Sequence, residues 1–161
     1  MVCYFLSFVM NDHLHGEEEI RRYYRIPVVA KHESSKLSAV DRAIDRIAGV
    51  TPADRDEQAM YGITAAHLEN LAKAGETVMI AGTFDGADST RFAEELKKEL
   101  PDVSFIAGKD ILRDTGTIRG LRSADAVLLL EGRNKTRHAD LRKELEMLRN
   151  MGKRVIGIVL V

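Results

Sequence analysis

Four short, unbroken apolar runs constrain this chain more than anything else in it: residues 77–82 (TVMIAG), 103–108 (VSFIAG), 126–132 (AVLLLEG) and 154–161 (RVIGIVLV). The first is continuously apolar, as in a strand buried on both faces, and the other three read as the second, third and fourth strands. The stretches between them carry apolar residues at helical spacing. Met60, Ile63 and Leu71 mark a helix over 58–74 that stops at Gly75, and Phe92, Leu96 and Leu100 mark one over 89–100 that ends at Pro101. A short helix falls near 115–123, and Leu141, Leu145 and Leu148 define a last one that ends at Gly152. Strands alternating with helices of this size require right-handed crossovers and a parallel sheet. The expectation is an α/β fold of three layers, with a parallel four-stranded sheet, flanking helices and an N-terminal helical or extended segment.

Composition narrows the function classes. The 161 residues carry 24 Lys+Arg against 25 Asp+Glu, a net charge of −1 that gives no general attraction to nucleic acid. One cysteine, Cys3, excludes an intramolecular disulfide framework and any multi-cysteine metal site. Hydrophobic residues at 45% supply a core and argue against disorder.

The N-terminus departs from this plain picture. MVCYFLSFVM, residues 1–10, has no charge and is mostly apolar. It falls short of the roughly 18 residues of a membrane span and lacks the basic start of a signal peptide. Two readings stand: a buried first strand, or the end of a membrane helix. Residues 11–57 form a second region. Glu17, Glu18 and Glu19 open a helix that Arg21, Arg22 and Arg25 close, a charge order suited to the helix dipole. Pro27 ends it, Val28 to Ala30 run extended, and 31–36 read as a polar loop. Leu37, Val40, Ile44 and Ile47 suggest an amphipathic helix over 38–48, followed by a linker over 50–57. The α/β domain proper occupies 58–161.

In a doubly wound sheet, ligands bind at the carboxyl ends of the strands. Residues 82–90, GTFDGADST, place Gly82 and Ser89 where a phosphate-binding loop of the form G-x-x-x-x-G-K-[ST] has its first glycine and its hydroxyl. Ala87 replaces the second glycine and Asp88 replaces the lysine. A carboxylate there reverses the charge that phosphates need: two unit charges about 4 Å apart interact by about 4 kcal/mol at a surface-like dielectric. Gly82, Thr83, Gly86, Ser89 and Thr90 remain as candidate ligand-binding positions, offering backbone and hydroxyl donors. The plainer reading makes Ser89-Thr90 a helix cap with Asp88 beside the positive helix end. The second strand, ending at Ala107-Gly108, offers no acid at its tip for magnesium, although Asp110 lies close, and Glu131 is the best acid elsewhere. His13, His15, His32, His67 and His138 are scattered without metal-ligand spacing. No metal site, catalytic triad or cofactor is expected.

FLSFVMNDHLHGEEEIRRYYRIPVVA resembles the exit of the second membrane helix in bacterial polysaccharide chain-length determinants, through Glu18-Glu19-Ile20-Arg21-Arg22-Tyr23-Tyr24 and Ile26-Pro27-Val28-Val29. The remaining chain resembles the cytoplasmic tyrosine kinase domain attached to such proteins, related to MinD-type ATPases. Ala87-Asp88-Ser89-Thr90 stands where that family has its Gly-Lys-Ser/Thr-Thr, and residues 123–161 are similar to its closing segment. The departures are Asp88, the strand end at Ala107, and Met60 and Ile63 where an oligomerisation helix beginning at Glu57 would carry arginines.

The resemblance implies a Rossmann-like, P-loop-like domain without kinase chemistry, under the inner face of the plasma membrane. Its partners would be membrane-embedded polysaccharide assembly proteins, a cognate kinase, or a second copy of itself, with the membrane at its N-terminus. Tyr23 and Tyr24 would then lie near the membrane; the pattern fits equally a helix packed on the domain. The alternative function is a small enzyme or sensor that binds a nucleotide or nucleotide-sugar at the strand ends.

Overall fold

The computed structural model describes residues 13–14, 17–31, 52–83 and 86–161. In chain order the elements are α1 (Glu17–Tyr24), β1 (Val28–Lys31), α2 (Pro52–Leu68), β2 (Thr77–Gly82), α3 (Gly86–Glu99), β3 (Ser104–Asp110), α4 (Thr115–Gly120), a single 3-10 turn (Leu121–Ser123), β4 (Ala126–Glu131), α5 (His138–Asn150) and β5 (Arg154–Leu160). The strands form one parallel sheet in the order β1-β5-β4-β2-β3.

Both faces of the central strands are covered, which accounts for the apolar runs of β2, β4 and β5, whereas β3 lies at the sheet edge and is only partly buried. Along β2, Val78 and Ile80 join a core with Met60, Tyr61 and Leu68 of α2 and Phe92 and Leu96 of α3. Met79 and Ala81 point the other way, into a core with Ile20 of α1 and Leu141 and Leu148 of α5. β4 alternates likewise, with Leu128 and Leu130 on the first side and Val127 and Leu129 on the second. The three-layer expectation holds.

The sheet has five strands rather than four. The added one is β1, which the sequence presents only as a short extended run after Pro27. Val28, Ala30 and Lys31 align with Ile158, Val159 and Leu160 of β5, and Ile158 N–H donates to the Pro27 carbonyl at 3.0 Å. Four residues at a sheet edge are too few to announce themselves by periodicity. Gly157 makes the junction possible, because a Cβ there would lie 2.1 Å from Val29 Cγ2.

Other boundaries move by a few residues. α2 begins at Pro52, so most of the expected linker over 50–57 is helix; proline at the first helical position loses no backbone bond. The expected helix over 38–48 and the apolar residues 1–10 lie outside the described residues. α1 lies on the domain, since Ile20 is fully buried against the second core, and the packed-helix reading of the Tyr23-Tyr24 segment therefore has a structural basis. No helix among the described residues is long and apolar enough to cross a membrane.

Candidate functional site

The carboxyl ends of β2, β3 and β4 open into a cleft of about 560 Å³ lined by Thr83, Asp88, Asp110, Leu112, Arg113, Lys135, Thr136, Arg137 and Asp140. Its floor is a hydroxyl–carboxyl network. Thr83 Oγ1 donates to Glu131 Oε2 at 2.7 Å and lies 2.6 Å from Thr136 Oγ1. Thr136 Oγ1 reaches the same carboxylate oxygen at 2.8 Å and accepts from Gly132 N–H at 3.0 Å. β2 and β4 must come close for this. A Cβ on Gly82 would sit 2.1 Å from the Leu130 carbonyl oxygen and 2.9 Å from Glu131 Oε1, so only glycine fits there.

Beneath the threonines lies a buried pair of acids. Glu131 and Glu144 are both fully inaccessible to solvent, and each perturbs the titration of the other. With both ionised, Glu131 Oε1 and both Glu144 oxygens would face no donor. Burial, and then the neighbouring Glu131 charge, push the Glu144 carboxyl up to about 11, with Asp110 and Asp140 adding to the effect. Burial raises Glu131 as well, but bonds from Glu144, Thr83 and Thr136 favour its charged form. Burial beside Glu131 therefore favours the protonated form of Glu144.

The loop after β2 departs from the expectation of a cap. α3 starts at Gly86, so Ser89 and Thr90 lie inside its first turns rather than ahead of it. Ser89 is buried, and its hydroxyl donates to the Gly108 carbonyl of β3. Asp88 is exposed in the first turn and lines the cleft. Of the candidate positions, Thr83 reaches the cleft by its side chain. Gly82 packs beneath β4, Gly86 opens the helix, Thr90 is exposed, and the side chain of Ala87 lies outside the described residues.

The strand tip is also different. β3 continues past Ala107 and Gly108 to Asp110, whose register partner is Gly82, so an acid does stand at the strand end beside the loop. Asp110 Oδ1 accepts from Leu112 N–H at 2.9 Å, and Oδ2 lies 3.5 Å from the Arg113 guanidinium. Asp114 then caps α4, accepting from Thr117 N–H at 2.6 Å and Thr117 Oγ1 at 2.8 Å, and these bonds hold its carboxyl below the usual range. Among the described residues no group of three potential ligands is placed to hold a metal ion.

Several cleft residues carry no sequence motif. Arg113, Lys135, Arg137 and Asp140 look like ordinary surface charges. Glu144 had one legible signal: it falls between Leu141 and Leu148, on the apolar stripe of a charged helix.

No protein-family model matches this chain, and comparison with curated protein sequences finds no relative. Solved structures are informative. The chain is similar to the BceF tyrosine kinase domain, with a TM-score of 0.62 and 10% identity over 92% of this chain and 98% of that one. It is also similar to the chimerical protein CapA2B2, with a TM-score of 0.52 and 10% identity over 90% of this chain and 98% of that one. At that identity the likeness shows architecture: this chain has the α/β fold of a bacterial tyrosine kinase domain.

Proposed function

We propose that this is a kinase-like domain without phosphoryl-transfer chemistry, acting by protein–protein contact to regulate capsular or exopolysaccharide assembly. It would belong to a chain-length determinant at the cytoplasmic face of the plasma membrane. Its partners would be the membrane-embedded assembly proteins, a cognate kinase or a second copy of the domain. The observation that carries this reading is Asp88. Where the resembled loop places a lysine, this cleft presents a carboxylate, with Asp110 and Asp140 lining the same space. Ser89 Oγ, in the position that would meet magnesium, is bonded to the Gly108 carbonyl. Thr83 Oγ1 is engaged with Glu131. Polyphosphate seated on this loop would meet the Asp88 carboxylate where a lysine is needed.

Calorimetry with magnesium-ATP tests the reading. The expected result is no saturable heat up to about 1 mM nucleotide, the range of roughly −4 kcal/mol binding, with Asp88→Lys as the variant that gains affinity. Micromolar binding by the parent chain would overturn the proposal.

A second reading rests on the opposite charges of the same cleft. Arg113, Lys135 and Arg137 also line it, and guanidinium and ammonium groups are suited to phosphate oxygens. A nucleotide-sugar held by these side chains, rather than by the loop, would make the domain a sensor or small enzyme. Titration with a uridine diphosphate sugar without magnesium distinguishes it, since binding abolished by Arg137→Gln would favour this assignment.

A further inference from the structure

α1 and α5 border a second groove of about 500 Å³. Ile26 and Leu145 contribute its apolar surface, Tyr23 stands over it with 69% of its surface exposed, and Arg142 and Arg149 line it from α5. The tyrosine is held in place. Its neighbour Tyr24 stacks on His138, with ring centroids 6.0 Å apart, and its hydroxyl lies 3.1 Å from His138 Nδ1. Arg22 and Arg25 flank the two tyrosines in sequence and are exposed. Nearby Arg21 is paired with Glu17 at 2.6 Å. By contrast, Arg22, Arg25, Arg142 and Arg149 make no ion pair among the described residues, and Glu146 is the one acid among those lining the groove.

We infer that this groove is a docking surface for an anionic lipid bilayer, with a headgroup phosphate received by Arg142 and Arg149 and the Tyr23 ring at the interface. Charge complementarity carries the assignment, because uncompensated guanidinium groups around an apolar floor match a phosphate-bearing surface. An exposed tyrosine, apolar in body and polar at its tip, belongs in the same setting. The chain's own sequence favours a membrane over an acidic protein. Met10, the last residue of the apolar run, precedes the buried Leu14 by four residues, at most about 14 Å of extended chain. Leu14 shares its core with Ile20 of α1 and Leu141 of α5. A segment suited to an apolar medium is thus tethered next to the elements that form the basic groove.

The inference rests on the membrane-apposed placement proposed above and is independent of the lost nucleotide chemistry. Co-sedimentation of the full chain with phosphatidylcholine vesicles, and with a roughly 3:1 mixture of phosphatidylcholine and phosphatidylglycerol, tests it. The expected result is preference for the anionic vesicles at least about tenfold, lost near 0.5 M salt where screening is short-ranged. Arg142→Gln/Arg149→Gln should remove that preference with unchanged melting temperature, since both side chains are exposed. Tyr23→Ser should weaken binding to a smaller extent. Equal binding to both vesicle types overturns the groove assignment while leaving membrane apposition through residues 1–10 standing. Absence of binding to either vesicle overturns both. A double arginine variant that behaves as the parent, or tighter binding to soluble poly-glutamate than to anionic vesicles, also overturns the assignment, the latter in favour of an acidic protein.

Discussion

Two carboxylates on this chain occupy positions where a simple helix or loop would not place them, and they answer to different physics. Asp88 is solvated and acts outward, by the sign of its charge at the mouth of the cleft. Glu144 is enclosed and acts inward, by holding a proton. Its ordinary value is 4.5, and burial beside Glu131 raises it to about 11 in the fold. Below the lower value both states are protonated and its contribution is fully present. As pH rises toward the upper value the unfolded chain releases a proton that the folded chain keeps, so stability falls with rising pH. Glu144→Gln retains a donor for Glu131 without an ionisable group. It should raise stability near pH 8 by about 1–3 kcal/mol and flatten the fall in melting temperature between about pH 5 and 9. Melting temperatures of parent and variant across that range check this, and a parent profile as flat as the variant's would show that Glu144 is ionised in the fold. Thr136→Val leaves a donor short at Glu131 and should cost about 1–3 kcal/mol, read by urea unfolding at neutral pH.

At the scale of elements, the site depends on how closely β2, β3 and β4 approach at their ends. Gly82→Ala would drive a methyl group into the Leu130 carbonyl, a backbone atom that has no rotamer to yield. The expected cost is at least about 1–3 kcal/mol, together with loss of the Thr83–Glu131 bond, which amide and hydroxyl proton resonances would report. β1 is the shortest of the described strands and pairs along one side only. Gly157→Ala, placed against Val29, should release it selectively, with faster hydrogen exchange at Val29 and Ala30 while β2 and β4 keep their protection. Exchange that accelerates uniformly would instead show that β1 opens only with the whole sheet.

The main strands were legible because continuous apolar runs have few alternatives in a chain with helical spacing between them. Their ends were less so. Val103 to Gly108 looks like a complete strand by hydropathy, yet Lys109 and Asp110 extend it. Their polar side chains at a sheet edge leave the ladder bonds to β2 unaffected, and hydropathy cannot see those bonds. The candidate loop was found in outline through the spacing of Gly82 and Ser89. What the spacing could not give was the direction of each side chain: Ser89 turns to Gly108, whereas Asp88 turns to the cleft. The partners of Thr136 and Glu144 were invisible for a related reason, since each partner is distant in sequence or on another element.

For the molecule as a whole, the two cores on either side of the sheet supply the stability that the polar floor consumes. Leu129 is fully buried in the middle of β4, within the core shared with α1 and α5. Leu129→Ala should destabilise the chain by about 2–5 kcal/mol, measured by chemical denaturation. If the two cores form one cooperative unit, tryptophan-free probes on either side, such as near-ultraviolet tyrosine signals from Tyr61 and Tyr24, should report the same midpoint.

The sheet order adds a constraint on time. β1, at residues 28–31, finds its neighbour in β5, at 154–160, and in no strand between. During synthesis β1 must wait for β5 to emerge, and closing so long a loop is slow. β2, β3 and β4 can assemble first, because each has a neighbour already made. β1 is thus locked only once β5 has formed, after the strands that lie between them in sequence.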